Sequence, residues 1–460
     1  MDETRVEKPR WYGKPAAALI AACVIAAPLS AAQPAAAGNL PPLAGTVPAA
    51  GAEIIGEQWL TSRTLQLTVA TEAFTAPVPV EVTFPSNYGS AGNWPVTYYT
   101  AGTNHDETAF RADYNGEAIT ASYPSIVVSP RGDSGYWSDW FNLGAGGPPK
   151  YETFVTSQLV PLIDANFRTI PDRAHRAIMG ESMGGYGTLM LAARHPDEFA
   201  AAASLSGAPD SNWAAGMAAI SASPTLQGAA PDSIYGPRAT EEVLWRGHNP
   251  TDLAANLGSV DLQVFTGNGI LDVSRETGTT DSSGCSVEAG VVRPESLSLH
   301  QTLLGLGIPH AWQDIPWGCH SPALFDYEMA QAIQRFQSVF TQPATTPRSF
   351  DYSSIESSFT TFGWHITADP GRAPEFIDMK DVTASGLTIT GSGTTTITTP
   401  SLFKGPKPVT VTVDGIPTSV QPDKNGAITF TVKQGAPDAQ QQYTLGAATS
   451  RTTSAVVFTR

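Results

Sequence analysis

Between residues 61 and 340, short apolar runs alternate with longer stretches that repeat apolar residues at helical spacing. The runs at 96–100, 125–129, 174–179, 200–205, 262–266 and 311–315 predict buried strands, and 152–166, 183–193, 294–306 and 325–340 predict helices. Buried strands separated by helices assemble a mostly parallel sheet covered on both faces, because each crossover lays a helix against the sheet. After a Pro/Thr-rich linker at 341–349 the texture changes. At 387–390, 409–413 and 428–432 apolar and polar residues alternate strictly, with turn signals such as Asp414-Gly415 and Asn425-Gly426 between them. That period of two predicts strands buried on one face, so 350–460 is expected to be a small all-β, sandwich-like domain. Residues 38–60, rich in Pro, Ala and Gly, read as a lead-in to an α/β domain over 61–340.

One segment joins this pattern to chemistry. Gly180-Glu181-Ser182-Met183-Gly184 has the form G-x-S-x-G, with a predicted strand before it and a predicted helix after it that His195-Pro196 stops. A serine on such a strand–turn–helix corner presents its hydroxyl at the top of the sheet. Small residues at 184, 185 and 187 let the helix pack closely. Ser182 is the candidate nucleophile.

The chain has 460 residues and a formal net charge of −16 at pH 7, with 26 Lys+Arg against 42 Asp+Glu. That excess of acid argues against nucleic acid as a partner. Arg5, Lys8, Arg10 and Lys14 precede an apolar run at 16–27 that is too short to span a bilayer comfortably. With small-residue cleavage positions near Ala35-Ala36-Ala37, the pattern predicts a secretion signal over 1–37. The mature protein is then expected outside the cell or in the cell envelope, with no stable membrane span. Cys23 lies inside that signal. Its removal leaves Cys285 and Cys319, an even pair that predicts a disulfide in an oxidising compartment. The histidines are scattered and neither cysteine has finger-like spacing, so neither a metal nor a cofactor is expected.

A serine hydroxyl needs a base, and the base needs an orienting carboxylate. In the order Ser, acid, His, the base lies among His195, His248, His300, His310, His320 and His365. His320 is the candidate, in a Gly318-Cys319-His320-Ser321-Pro322 loop between the predicted strand 311–315 and the last helix of the domain. His195 reads as a helix stop, while His300 and His310 flank a helix.

Gly180–Gly187, Ser134-Gly135-Tyr136-Trp137-Ser138-Asp139-Trp140, Gly267-Asn268-Gly269 and Gly318-Cys319-His320-Ser321 together resemble, in the same order, motifs of the antigen 85 mycolyltransferases. They are also similar to the wider group of secreted esterases related to esterase D. The resemblance covers about 80–340 and implies an α/β-hydrolase fold. It implies Ser182 as nucleophile, His320 as base and Glu288, in Val287-Glu288-Ala289-Gly290, as acid. Asp272, close after the predicted strand 262–266, and Glu295, beside Pro294, remain open as acids. A Cys285–Cys319 bridge would tie the acid to the base. Met183, following the nucleophile, supplies one oxyanion N–H, and Thr103 in the matching loop Thr100-Ala101-Gly102-Thr103 the other. Arg111, Asn115 and Trp140 are the implied substrate-binding positions. Where the family's loop carries an acidic residue before its glycine and a nearby sugar-contacting arginine, this chain has Ala101, Asn104 and His105.

The expected activity is a secreted serine carboxylic-ester hydrolase acting through an acyl-enzyme on lipid, cell-envelope or carbohydrate esters. The alternative is an acyltransferase of antigen 85 type, delivering a mycolyl or fatty acyl group to a sugar or glycerol hydroxyl. Loss of the sugar-contact pattern favours hydrolysis. A binding protein on a decayed hydrolase fold is a third class, against which the intact Ser, Glu and His set speaks. The all-β domain is expected to contact cell wall or polysaccharide, with Trp364 and Phe362 as either a sugar platform or core.

Overall fold

The computed structural model describes residues 45–141, 149–277, 282–342, 345–448 and 450–460. The expected secretion signal, Cys23 included, lies outside the described residues. Strands β1 (Ala52–Trp59), β2 (Thr64–Thr71) and β3 (Val78–Thr83) form an antiparallel meander, and β4 (Val96–Thr100), β5 (Ile126–Pro130), β6 (Arg176–Glu181), β7 (Ala201–Leu205), β8 (Asp261–Thr266) and β9 (His310–Asp314) continue it in parallel. The order is β1-β2-β3-β5-β4-β6-β7-β8-β9. Every residue of β4 to β7 is buried, which is why these strands read mostly as small and apolar runs, with Arg176 and Glu181 at the two ends of β6.

Strand β1, Ala52–Trp59, falls within the lead-in expected over 38–60. Ala52 and Ile54 point into the core while Glu53 and Ile55 are exposed, but the register shifts between Ile54 and Gly56, so the alternation breaks mid-strand. The expected helix at 152–166 forms in two parts. A π-helical turn, Thr153–Leu159, leads into α1 (Val160–Asn166), whose Pro161 has no N–H to give to a regular turn. The helices α2 (Met183–Arg194), α3 (Ala214–Ala222), α4 (Arg238–Gly247), α5 (Arg293–Gly305) and α6 (Pro322–Phe340) follow. No helix among the described residues is long and apolar enough to cross a membrane.

Beyond α6, two antiparallel sheets face each other. One has six strands, β10 (Phe350–Ser354), β13 (Ile377–Thr383), β14 (Gly386–Gly391), β19 (Thr452–Thr459), β16 (Val409–Val413) and β17 (Ile416–Val420) in that order. The other has four, β11 (Ser358–Thr361), β12 (Trp364–Thr367), β15 (Gly393–Thr398) and β18 (Thr429–Gln434). Ile366, Ile397 and Val432 of the smaller sheet share one apolar core with Ile377, Ile389 and Val411 of the larger. Trp364 is buried in that core and Phe362 packs against it, which answers the platform-or-core question for both.

This sandwich is bonded to the α/β domain. Ile355 and Phe376 enter the core of the sheet domain, Tyr352 Oη donates to the Arg194 carbonyl (2.6 Å), and Asn256 exchanges two hydrogen bonds with the Ser353 backbone (2.8 and 2.9 Å). A cavity of about 430 Å³ remains between them, lined in part by Glu152, Arg194, His195, His248 and Glu356. Its charges satisfy one another: Arg194 contacts Glu152 and Glu356, each at 2.7 Å, and His195 Nε2 lies 2.7 Å from Glu152.

Candidate active site

Strand β4 has β5 on one side and β6 on the other, so the strand order reverses there and a crevice opens beyond the carboxyl ends of β4 and β6. Ser182 stands in it, between β6 and α2, with φ 55° and ψ −125°. This is a conformation that non-glycine residues rarely hold unless their surroundings enforce it. The enforcement is visible. The Ser182 amide donates to the Leu205 carbonyl (3.1 Å). A Cβ added at Gly180 or Gly184 would lie 2.1 or 1.8 Å from the Thr100 carbonyl oxygen, so neither position tolerates a side chain.

His320 reaches Ser182 from the loop between β9 and α6. Its Nε2 is 2.8 Å from Ser182 Oγ and its Nδ1 is 2.8 Å from Glu288 Oε2. The ring stands edge-on against Phe325, with centroids 4.9 Å apart. Three anchors hold the loop. The Cys285–Cys319 disulfide, with Cα atoms 4.0 Å apart, lies next to His320; the His320 amide donates to the Gly284 carbonyl (3.0 Å); and Glu276 accepts from the Cys319 amide and Ser321 Oγ (2.9 and 2.8 Å).

Glu288 is fully buried and opens a π-helical turn, Glu288–Val292, that runs into α5. Glu288 therefore sits on helical backbone. Its Oε1 accepts from Ser206 Oγ, Thr266 Oγ1 and the Gly267 amide at 2.9, 2.8 and 2.7 Å, leaving Oε2 to His320. The two rival acids lie elsewhere. Asp272 caps a surface turn through Ser274 and Arg275. Glu295 is buried beneath the Asp210 amide, where burial raises its carboxyl well above the usual carboxylate range.

Met183 is the first residue of α2, where an N–H has no intrahelical partner and the helix dipole favours negative charge. The turn carrying Thr103 packs on the elbow, since a Cβ at Gly102 would lie 3.2 Å from Ser182 Cβ. Glu181, fully buried, binds that turn through the Gly102 amide (2.5 Å) and also accepts from Tyr99 Oη and Tyr114 Oη (2.5 and 3.2 Å). His105 Nδ1 lies 3.3 Å from the same carboxylate. Burial opposes a charge on His105, but the hydrogen bond and the charge of Glu181 outweigh it and raise its pKa.

The three positions expected to bind substrate each make scaffold contacts. Arg111 closes both Nε and Nη2 on buried Glu81 (3.0 and 2.7 Å). Asn115 holds Asp326 through its amide side chain and backbone N–H (2.5 and 3.0 Å), and Trp140 is buried with its indole N–H on the Gly135 carbonyl. Sequence reasoning passed over Glu181, Ser206 and Glu328. Glu181 had a signal, as the first variable position of G-x-S-x-G; the other two sit in no motif. Among the described residues no group of three or more His, Cys, Asp or Glu side chains is arranged to hold a metal ion.

Residues 71–279 match the model of the Esterase family. The sheet domain is similar to the antigen 85 mycolyltransferases and to esterase-family proteins. Among relatives, Esterase Rv1288 of Mycobacterium tuberculosis is 39% identical over 130 residues, which are 28% of each chain. The match thus spans under a third of that protein's length. The diacylglycerol acyltransferase/mycolyltransferase Ag85A of Mycobacterium gordonae is 29% identical over 263 residues, 51% of this chain and 73% of the relative. The crystal structure of Mycobacterium tuberculosis MPT51 (FbpC1) superposes with a TM-score of 0.50 at 19% identity, covering 60% of this chain and 97% of the other, and shares the fold.

Proposed function

We propose that the protein is a secreted serine carboxylic-ester hydrolase. The observation that carries this reading is the unbroken line from Ser182 Oγ to His320 Nε2 and from His320 Nδ1 to Glu288, 2.8 Å at each step. In the reaction, Ser182 Oγ attacks the ester carbonyl while His320 Nε2 takes its proton. The Met183 and Thr103 amides receive the charge that develops on the carbonyl oxygen. Collapse expels the alcohol, which takes the proton from His320 and leaves an acyl-Ser182. Water, deprotonated by His320, then releases the acid. Glu288 keeps His320 in the tautomer that presents Nε2 to the serine. The substrates are acyl esters of lipid, cell-envelope or carbohydrate type, and the place of work is outside the cell or in the envelope.

A second reading, acyl transfer to a sugar or glycerol hydroxyl, differs only in what intercepts the acyl-enzyme, and the name of the Ag85A relative favours it. One experiment tests both: p-nitrophenyl-ester turnover by the protein and by Ser182→Ala, with and without trehalose or glycerol, with products identified by mass. Ser182-dependent release of free acid alone supports the hydrolase, and an acylated acceptor supports the transferase. Turnover that survives Ser182→Ala removes both.

A further inference from the structure

Behind Glu288 lies a second carboxyl. Ser206, at the end of β7 with φ 43°, places Oγ 2.9 Å from Glu288 Oε1 and 2.8 Å from Oε1 of Glu328, which projects from α6. Glu328 is fully buried and its Oε2 has no hydrogen-bond partner. A hydroxyl has a single proton to give. Glu288 Oε1 accepts from the Gly267 amide and Oε2 faces His320 Nδ1, so the triad reading makes Glu288 the carboxylate. Among the described residues the one charged group that bears on Glu328 is Glu288 itself. Of the strands beneath α6, β6 carries Arg176, which is paired with Asp164 and Glu198 (2.9 and 2.7 Å), and Gln263 of β8 gives its amide to the Ala332 carbonyl. Were both carboxyls ionised, two anions would share one proton, and one oxygen would face the Ser206 lone pairs unbonded.

We propose that Glu328 is a neutral carboxylic acid and a positioning residue for the candidate triad. Its O–H donates to Ser206 Oγ, whose own O–H donates to Glu288 Oε1. The chain of protons thus runs in one direction and ends on the acid. It pins Glu288 so that Oε2 stays aimed at His320, and it keeps a single negative charge beneath the imidazole. Burial and the charge of Glu288 both push the Glu328 carboxyl well above the usual range, in agreement. The inference rests on the reading of Ser182, His320 and Glu288 as the triad.

The test measures p-nitrophenyl-ester hydrolysis against pH for Glu328→Leu, Glu328→Gln, Ser206→Ala and Ser182→Ala, with calorimetric melting of each. Glu328→Leu and Ser206→Ala are expected to lower kcat about tenfold with KM little changed. Glu328→Gln, which keeps an uncharged donor in place, recovers most of that rate and leaves the acid limb of kcat/KM where the parent has it. An isotope-edited infrared difference between the parent and Glu328→Gln shows the carbonyl stretch of a protonated carboxylic acid, a signal that does not depend on the leucine variant folding. If Glu328 instead carries charge, Glu328→Gln deletes an anion near the imidazolium. The acid limb then moves to lower pH and the infrared band is missing. Either result, or a glutamine variant as slow as the leucine one, overturns the proposal. Turnover surviving Ser182→Ala overturns the triad reading instead, so the two failures are distinguishable.

Discussion

Glu181 Oε1 receives the Gly102 amide at 2.5 Å, which joins the corner holding Ser182 and the turn holding Thr103 into one hydrogen-bonded unit. With the first amide of the turn tied back to the elbow, the next amide, that of Thr103, is the one the proposed mechanism assigns to the carbonyl oxygen of a substrate. An oxyanion donor acts only when it is already aimed. The carboxylate therefore works through geometry, without touching the reacting atoms.

Glu181→Leu should consequently lower kcat by about two orders of magnitude, the size of a lost oxyanion donor, with a smaller effect on KM. It also strands the hydroxyls of Tyr99 and Tyr114, at a stability cost of about 1–3 kcal/mol read by urea unfolding. A variant that melts early but turns over normally would detach Glu181 from the oxyanion turn.

The choice of acid is open to a paired measurement. Glu288→Gln is expected to lower kcat by about 10³–10⁴ through loss of the His320 tautomer. Asp272→Asn, on its surface turn, should stay within about twofold. Reversed magnitudes would transfer the role to Asp272.

The disulfide closes a separation of 34 residues, worth about 3–4 kcal/mol in a chain-entropy account. Reduction, or the pair Cys285→Ser and Cys319→Ser, is expected to lower Tm by several degrees and to reduce kcat, since Cys319 immediately precedes His320. Unchanged kcat in the reduced protein at a temperature where it stays folded would show that Glu276 and the Gly284 carbonyl hold the loop without the bridge.

The interdomain cluster sets a pH dependence of stability. Burial and Arg194 push His248 down to about 4, from an ordinary 6.5, so between those values the unfolded chain binds a proton that the folded chain refuses. Stability is full above about pH 6.5 and declines as pH falls towards 4, by on the order of 3 kcal/mol. Burial alone would raise Glu152, but Arg194 and His195 hold it far below its usual range, and protonating it adds a further loss at still lower pH. Calorimetry from pH 7 to 4 should show Tm falling, with a flatter slope in His248→Gln. An equal slope in that variant would assign the proton uptake elsewhere.

Arg111→Met should lower stability and leave KM for small esters unchanged. Its guanidinium neutralises Glu81, which is buried at 1% exposure, and stranding that carboxylate costs about 3 kcal/mol. A raised KM at unaltered Tm would return Arg111 to the substrate.

What could be read from sequence follows from where each signal is written. Strands such as β7, Ala201–Leu205, are buried on both faces, so their burial shows as a continuous run. β1 was missed because its bulge at Ile54/Gly56 shifts the alternation halfway along. Ser182 announces itself through neighbouring glycines, a purely local constraint. Arg111, Asn115 and Trp140 lie in segments that match the family, yet their polar atoms are taken up by Glu81, Asp326 and Gly135, and only tertiary packing decides that. Ser206 and Glu328 are 122 positions apart, and no spacing rule connects them before α6 is laid against β7.

Helix α2 begins immediately after Ser182 and ends at Arg194, about 18 Å away along its axis. At that far end the sandwich grips it twice, through Tyr352 on the Arg194 carbonyl and Glu356 on the guanidinium. The rod that presents the candidate hydroxyl at one tip is thus clamped at the other by the sandwich. A protein shortened before residue 350 would keep every reacting group and lose the clamp, and a load that drew the sandwich aside would be felt at the serine.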